Sequence, residues 1–522
     1  MRGKPEKNLI NILWNGEPLI SLAGKLLLTL YLYLISYFYS LSVPFSWTSL
    51  PRFILIYLAV HVICRVIGNI KLRLLDEPKK MDLKFGGLIF LLTAGVMGVY
   101  YAAYYPGGVI IDSFNQWYQV QNGTYVDWHP VIHTLLFMKL PSLICNHIGF
   151  VNFLQVIWIG LSCAYLGMVM ECWGIRKVLC AVSIGLGIAA PASSIVHSFC
   201  WKDTAMTIFA IVLAGLTVQI VCSKGEWLRN KGHVLVFALI GALTALMRHN
   251  GILLVGPLMV LVVLIYWKQL RYYALAAGIL TALFMAGIKV PVYHVLNVQS
   301  HSQVSAETLG LPMTILANVL VHEPEQLDPA CREFLYRIGS QELWESTYKE
   351  GNWNSAKWMG EDISNDVIEE VGTKNVLLYT WHAVKKCPYY AYRAVVKLFE
   401  VVWKPLGGKV EWSYAVNLQS GNGYEMSGIP LLKNFLNMVR NWSVRGGILF
   451  TWSWHIGFYI LLMLFAGVSQ LKKGFSKCLY WVPAMCYNFG TALLLCGPDF
   501  RFFAFNTVVT FPLLLMIVGD RE

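Results

Sequence analysis

Charged side chains are scarce in this sequence, and their scarcity decides the class of protein. Asp, Glu, Lys and Arg make up 13% of the 522 residues, whereas soluble domains carry about 25%. Hydrophobic residues reach 57% of the chain and aromatic residues 14%. A soluble fold is therefore excluded. The long apolar runs predict an all-α polytopic membrane protein.

The sequence also lacks the cysteine patterns of metal sites. It contains 12 cysteines, mostly inside apolar runs, with no CxxC pair and no Cys/His spacing typical of zinc ligands. Cys331 and Cys387 share a polar region and could form a disulfide. The net charge of +12 does not indicate a nucleic-acid partner, because the cations stand in short clusters between apolar runs. No repeat and no low-complexity tract is present.

Apolar runs long enough to cross a bilayer recur along the chain. About twelve spans are predicted, near residues 20–42, 52–70, 85–104, 150–170, 177–196, 204–222, 233–247, 252–267, 271–292, 447–467, 478–496 and 503–518. Residues 131–147 are apolar but short, and they contain His133, Lys139 and Pro141. We expect this segment to lie in the outer interface without crossing.

The distribution of Lys and Arg sets the orientation. With both termini in the cytoplasm and 131–147 outside, the basic loops near Lys79, Arg176, Arg229 and Lys472 all face the cytoplasm. The polar motifs then all face outward, together with a polar region at about 297–445. They are DSFNQ from Asp112, DWHP from Asp127, CWKDT from Cys200, RHNG from Arg248 and GPDFRF from Gly497.

The stretch after the third predicted span begins with Asp112. Phe114, Trp117 and Tyr118 follow at helical spacing and form an aromatic stripe, with Asn115, Gln116 and Gln119 expected on the opposite side. A short helix over 113–122 is therefore predicted to lie flat, with these aromatics in the headgroup layer. Asp112 itself is either a helix N-cap or a functional carboxylate at the membrane edge.

The other outward motifs also allow a structural and a functional interpretation. Asp127 could close a loop before a helix that starts at His129-Pro130. Lys202 and Asp203 could be a snorkelling lysine and a helix cap, the Arg248 motif an interfacial anchor, and Asp499 an internal partner of Arg501. Because all of these motifs are predicted on the outer side of the membrane, a shared site is favoured. The candidate supporting residues are Gln116, Asp127, Asp203, His249, Asn250 and Asp499.

These motifs resemble those of the glycosyltransferase C superfamily, which includes the protein O-mannosyltransferases, the aminoarabinose transferase of lipid A modification and the oligosaccharyltransferases. Asp112 matches the essential Asp after an early span, His129-Pro130 matches the later His-Pro motif, and Asp203 matches an Asp in the next outer loop. Ser113 departs from the frequent Glu. The details DSxxQ, WHP, RHNG and PDFRF are similar to a bacterial branch, domain-of-unknown-function family 6020.

The resemblance implies a membrane glycosyltransferase that moves a sugar from a polyprenyl-phosphate donor to an extracytoplasmic acceptor in the cell envelope. Asp112 is then the general base of an inverting displacement, and partial desolvation at the membrane edge is expected to strengthen it as a base. Lys202, Arg248, Arg501 and His129 are candidates for binding the donor phosphate. No metal ligand set is predicted, although Asp112 and Asp203 could hold a divalent ion. Membrane lipids are the other expected partners.

The predicted spans and the polar segment between them suggest three regions. Residues 1–296 form a transmembrane module with a catalytic outer loop at 105–149, residues 297–445 a mostly helical extracytoplasmic region, and residues 446–522 the C-terminal spans. Two other function classes stay open, a flippase or transporter of lipid-linked sugars and a polymerase or ligase of surface glycans. Transporters commonly show internal repeats, which are absent here, and the charges gather on one face.

The predicted orientation is testable by labelling. A single reactive cysteine placed next to Arg229 is expected to react with a membrane-impermeant maleimide only after cells are permeabilised, because the basic loop faces the cytoplasm. Labelling of that cysteine in intact cells would overturn the orientation.

Overall fold

The computed structural model of the chain describes residues 18–42, 49–300, 304–359, 363–407, 410–416 and 425–521. Helices dominate these residues, and their regular strands are one short parallel pair, β1 (Leu72–Arg73) and β2 (Gly519–Asp520). The helices of the first part are α1 (Leu19–Phe38), α2 (Leu50–Gly68), α3 (Leu83–Ala103), α4 (Ile111–Asn122), α5 (Ile148–Cys172), α6 (Lys177–Ala189), α7 (Pro191–His197), α8 (Lys202–Cys222), α9 (Lys231–Leu246) and α10 (Ile252–Val295).

The second part of the chain continues in shorter helices before the last spans. They are α11 (Val304–Thr308), α12 (Gly310–His322), α13 (Pro329–Ile338), α14 (Gln341–Thr347), α15 (Ile363–Val371), α16 (Thr373–Lys386), α17 (Pro388–Leu398), α18 (Glu400–Trp403), α19 (Pro430–Arg445), α20 (Ile448–Thr451), α21 (Ile456–Gln470), α22 (Cys478–Ala492) and α23 (Phe505–Val518).

The number of spans depends on how bent and short helices are treated. Within the described residues, eight helices are long and apolar enough to cross a membrane, or nine if the bent pair α6–α7 is one span. Helix α10 runs for 44 residues with a kink at Leu270, so it covers two of the predicted spans. Helices α9 and α22 have 16 and 15 residues. The prediction of an all-α polytopic protein is confirmed.

Helix α8 forms the centre of the bundle. It is buried along nearly its whole length and packs against α5, α9 and α23. Helix α23 in turn packs against α6 and α21. The last span therefore lies beside the middle of the chain, and the turn before it reaches the first residue of α8.

The two ends of the bundle differ in what they hold. At one end β1 pairs with β2, with Leu72 opposite Gly519, and the Lys79 amide donates to the Cys172 carbonyl at 2.9 Å. The end of α3, helix α4 and the start of α8 lie at the opposite end, where the Gly108 amide donates to the Ser198 carbonyl at 3.0 Å. The outward motifs are gathered there.

Helix α4 forms where the sequence predicts a helix, but it presents a different face. Trp117 is buried and Tyr118 is exposed, so the aromatics do not share one lipid-facing stripe. Gln116 and Gln119, expected opposite the stripe, are buried as well. The prediction of the exposed face is wrong because polar partners at the bundle end bury the glutamines. The helix ends at Gly123, whose φ of 70° is left-handed.

The segment after His129-Pro130 is a broken helix. Val131–His133 is α-helical, Thr134–Lys139 is π-helical and Leu140–Ile144 is α-helical again. Single-turn π segments are frequent at functional sites. The expectation that this segment lies in the interface stays a prediction.

The polar region is built from short helices around its own apolar cluster, which includes Trp344 and Trp353. Cys331 and Cys387 both lie in this cluster as free thiols. The possible disulfide between them is therefore not formed. The division of the chain into three regions stays a prediction.

Close packing of α6 on α23 gives a stability test. A Cβ added at Gly187 would lie 2.7 Å from the Thr507 carbonyl oxygen, whereas one at Gly185 meets only Leu92 Cδ2, at 3.6 Å. Gly187→Ala is expected to lower the free energy of unfolding by about 1–3 kcal/mol, because backbone atoms cannot easily yield. Thermal melts of the purified protein check this, with Gly185→Ala as the matched control. Equal melting temperatures for the two variants would contradict the packing described here.

Candidate functional site

Asp112, Lys202 and Arg501 meet at one end of the bundle. The Arg501 guanidinium donates to Asp112 Oδ2 at 2.7 Å, and Lys202 Nζ lies 3.6 Å from the same oxygen. Their side chains are only 13–16% exposed. One carboxylate thus lies between two cations in a site that is mostly shielded from water, and we call these three residues the charged triad.

Asp112 is not a helix cap. The N-cap position of α4 is Ile110, and it makes no side-chain capping hydrogen bond. The helix is instead fixed from the side, since Ser113 Oγ donates to the Cys200 carbonyl at 2.5 Å. Gln116 Nε2 donates to Thr134 Oγ1 at 2.8 Å. The capping interpretation of Asp112 is therefore wrong, because Asp112 lies inside the helix and its carboxylate does not cap the N-terminus.

Arg501 is held by a second carboxylate. Asp499 accepts hydrogen bonds from the Arg501 amide at 3.0 Å and from its Nε at 3.1 Å. Tyr414 Oη donates to Asp499 Oδ1 at 2.6 Å. The internal Asp499–Arg501 pair expected as the structural interpretation is present, yet Arg501 still has Nη1 for Asp112. No sequence signal singles out Tyr414, which stands in the polar region outside every motif.

The aromatic surroundings of Arg501 fix its guanidinium plane. The Arg501 Cζ atom lies 5.3 Å from the centre of the Trp201 ring and 5.1 Å from that of Phe502. Both rings belong to the motifs that carry the charges, WKD and DFRF. Cation–π contacts of this kind strengthen when water is excluded.

His129 contacts Lys202. Lys202 Nζ lies 2.9 Å from His129 Nδ1, so Nδ1 is the acceptor. Burial and the neighbouring ammonium hold the pKa of His129 well below its usual value, which keeps the ring neutral. A neutral imidazole that accepts from Lys202 orients the ammonium without adding charge to the site.

The pKa of Asp112 reflects its two cations. Burial raises the pKa of this carboxyl, but the charges of Arg501 and Lys202 outweigh burial and hold the pKa far below its usual range. The expectation that desolvation strengthens Asp112 as a base is therefore wrong for this arrangement. While both cations remain in contact with it, the carboxylate is a weak base.

Arg248 and Asp203 form a separate ion pair, and both side chains are almost completely buried. Arg248 Nε donates to Asn250 Oδ1 at 2.9 Å, and Asn250 Nδ2 donates to Thr491 Oγ1 at 2.8 Å. Arg248 also lies over the Phe502 ring, 4.5 Å from its centre. These contacts tie the start of α8 to α10 and α22, so they are structural as well as electrostatic.

Asp127 belongs to a third, more open cluster. Tyr293 Oη donates to Asp127 Oδ1 at 2.5 Å, and Lys289 Nζ lies 3.6 Å from Asp127 Oδ2. His249 Nε2 lies 3.8 Å from Asp127. Asp127 therefore faces α10, while His129 faces Lys202.

The carboxylates do not fit a divalent ion. Asp112 and Asp203 are each paired with cationic side chains, which would repel a metal ion. Among the residues that the structure describes, no group of three or more His, Cys, Asp or Glu side chains could hold a metal ion.

A small apolar cleft of about 40 Å³ lies between α8, α10, α22 and α23. Three of these helices carry a charged residue at or just before the end nearest the triad: Lys202 on α8, Arg248 before α10 and Arg501 before α23. The cleft is lined on those helices by Ala210, Ala214, Leu254, Leu258, Phe505 and Val509. Ala210 is eight residues after Lys202, or about 12 Å along the helix.

Comparison with known proteins gives one structural match. No protein-family model and no curated protein matches the chain, so the resemblance to family 6020 stays a prediction. The chain is similar to the crystal structure of ArnT from Cupriavidus metallidurans bound to undecaprenyl phosphate, at 13% identity over 81% of this chain and 78% of that one. The TM-score is 0.32, which is too low to support conclusions about this chain.

The buried pair of Arg248 and Asp203 generates a second stability test. Arg248→Gln is expected to lower the free energy of unfolding by roughly 3–5 kcal/mol, because it leaves the Asp203 carboxylate buried without a cation. Asp203→Asn should cost a similar amount, and the double variant less than the sum of the two. Thermal melts in detergent measure these changes.

Asp127→Asn is the matched control, since the Asp127 side chain is 27% exposed and its pairing is more easily replaced by water. A wild-type melting temperature for Arg248→Gln would show that the pair does not hold α8 in place.

Proposed function

We propose that the chain is a membrane glycosyltransferase that moves a sugar from a polyprenyl-phosphate donor to an acceptor in the cell envelope, a glycan, lipid or protein. The observation that carries this proposal is the charged triad above an apolar cleft. A lipid phosphate needs fixed cations for its head and an apolar groove for its tail. The resemblance of Asp112, His129-Pro130 and the WKD motif to the glycosyltransferase C superfamily supports the same activity.

Lys202 and Arg501 are the cations that we assign to the donor phosphate. Both remain partly open to solvent, at 13% and 15% exposure. A phosphate could reach Arg248 only by breaking a buried ion pair, which costs about 3–5 kcal/mol. Arg248 is therefore assigned to holding the site together, and His129 to orienting Lys202.

Phosphate binding and base activation are coupled in this proposal. A lipid phosphate that enters between Lys202 and Arg501 competes with the Asp112 carboxylate for both cations. Released from them, Asp112 loses the charges that lower its pKa, so it becomes a stronger base and can accept the proton of the acceptor hydroxyl. The hydroxyl oxygen forms a bond to the anomeric carbon as the bond to the phosphate oxygen breaks, and the two cations stabilise the departing phosphate. A single displacement of this kind inverts the anomeric centre.

The apolar cleft is assigned to the isoprenoid tail. Its lining on α8 and α23 begins about one to two turns from the triad and extends to Thr217, about four turns from Lys202. The cleft is also lined by Leu254 and Leu258 on α10 and by Leu479 and Tyr480 on α22. A tail in this cleft would place the phosphate at the level of Lys202 and Arg501. The open cluster around Asp127, with His249 and Lys289, is assigned to the acceptor because it is the more exposed of the charged groups.

Two readouts on Asp112→Asn test the coupling. The variant is expected to slow sugar transfer by at least about 100-fold, since the base is lost. It is also expected to bind polyprenyl phosphate about tenfold more tightly, because the competing carboxylate no longer occupies the cations. Sugar release from a labelled donor and binding of polyprenyl phosphate, both with purified protein, give the two values.

Asp127→Asn is the control for binding, because Asp127 pairs with Lys289 and not with the triad, and its affinity for polyprenyl phosphate should equal that of the wild type. Near-normal turnover of Asp112→Asn would remove Asp112 as the base. Weaker lipid binding by the same variant would show that Asp112 does not compete with the phosphate. Movement of the lipid across the bilayer without sugar release would favour a transporter.

A further inference from the structure

Helix α19 carries an exposed apolar stripe that the site does not use. Leu431, Phe435, Met438 and Trp442 are spaced by four, three and four residues, so they share one face of the helix. Their exposed fractions are 78%, 54%, 42% and 57%. Four large apolar side chains in a row are more than a soluble surface helix usually presents to water.

The opposite face of α19 is firmly packed against the protein. The stripe is therefore not exposed because the helix is loosely held. Leu436 and Val444 are buried. Asn437 Oδ1 accepts a hydrogen bond from Tyr104 Oη at 2.8 Å, and Ser443 Oγ accepts one from Trp454 Nε1 at 2.9 Å. These contacts orient the helix so that the stripe points away from the protein.

The start of α19 is tied to the end of a membrane span. The Ile429 amide donates to the Ala102 carbonyl at 2.9 Å, and the Ser427 amide donates to the Tyr105 carbonyl at 3.0 Å. Helix α3, which ends there, exposes Leu88 and Leu91 along its length, as expected for a helix in contact with lipid. The stripe thus begins at the level where a lipid-facing surface ends.

The charges of α19 favour a membrane partner. The helix contains Lys433, Arg440 and Arg445 and no Asp or Glu. Arg445 lies close to the stripe around the helix axis, whereas Lys433 and Arg440 lie on the opposite side. A positively charged helix with one apolar face is typical of helices that lie in a bilayer interface.

We propose that α19 is an interfacial helix whose stripe inserts into the bilayer surface, at the end of the bundle that holds the charged triad. The partner is the lipid bilayer itself. This inference stands independently of the proposed transferase activity, because it rests on the exposure, packing and charge of α19.

One contact connects this helix to the site. Arg440 Nε donates to the Tyr414 carbonyl at 2.5 Å, and the Tyr414 hydroxyl donates to Asp499. Burial and the Asp499 carboxylate raise the pKa of Tyr414 well above its usual value, so the phenol remains a donor. Anchoring of α19 in the bilayer would therefore also hold Tyr414 against the partner of Arg501.

Depth-dependent quenching tests the insertion. Single cysteines replace Phe435 or Trp442 in full-length protein in which the exposed Cys145 and Cys486 are changed to Ser. Each cysteine carries an environment-sensitive fluorophore, and the protein is reconstituted in nanodiscs with nitroxide-labelled lipids. A label at Glu345, an exposed polar position of α14, is the control. Quenching at 435 and 442 is expected to exceed the control by about threefold, since interfacial helices bury their apolar face 5–10 Å deep.

Labels at both positions that are quenched no more than the control would overturn the proposal. A fluorophore that is shielded from water only when two copies of the protein occupy one nanodisc would also overturn the proposal. That result would assign the stripe to self-association. A loss of transferase activity with normal quenching bears on the proposed function and leaves the interfacial helix standing.

Discussion

The contact on which the site depends is the pairing of one carboxylate, Asp112, with Lys202 and Arg501. These residues lie far apart in the sequence, on a short helix after the third span, at the start of the central helix and in the turn before the last helix. In a poorly hydrated site, an unpaired charge of either sign would be costly. The triad therefore fixes α4, α8 and the turn at Phe500–Phe503 relative to each other.

The charges around the triad are nearly balanced, and this balance shapes the chemistry. Asp499 offsets the second cation, Tyr414 stays protonated and His129 stays neutral. A site with no spare cation binds an anion only by exchange, so a phosphate that enters as proposed would have to displace a carboxylate. The carboxylate that could be displaced is Asp112, whose side chain is partly exposed, whereas the Arg248–Asp203 pair is almost completely buried. In the proposed function, this balance would set both where the phosphate binds and when the Asp112 carboxylate is released.

Much of this arrangement was predictable from span ends. Helical apolar runs locate Asp112, Lys202 and Arg501 at the same end of the bundle, and the positive-inside rule gives the orientation that would make them face outward. Spacing also predicts α4 to within two residues. These features follow from local sequence and the thickness of the bilayer, which is why one sequence suffices to predict them.

Other features depend on contacts between distant segments and could not be read from the sequence. The buried face of α4 is set by Gln116 meeting Thr134, and Arg248 is committed to Asp203 by burial. Tyr414 stands outside every motif, and only the fold brings it to Asp499.

A structure with polyprenyl phosphate bound tests the central claim most directly. The account predicts the phosphate between Lys202 and Arg501, with the Asp112 carboxylate released from both cations and turned toward the open cluster at Asp127. The Arg248–Asp203 pair should be unchanged. A phosphate bound at Arg248 or Lys289, with the contact between Arg501 and Asp112 intact, would contradict the account.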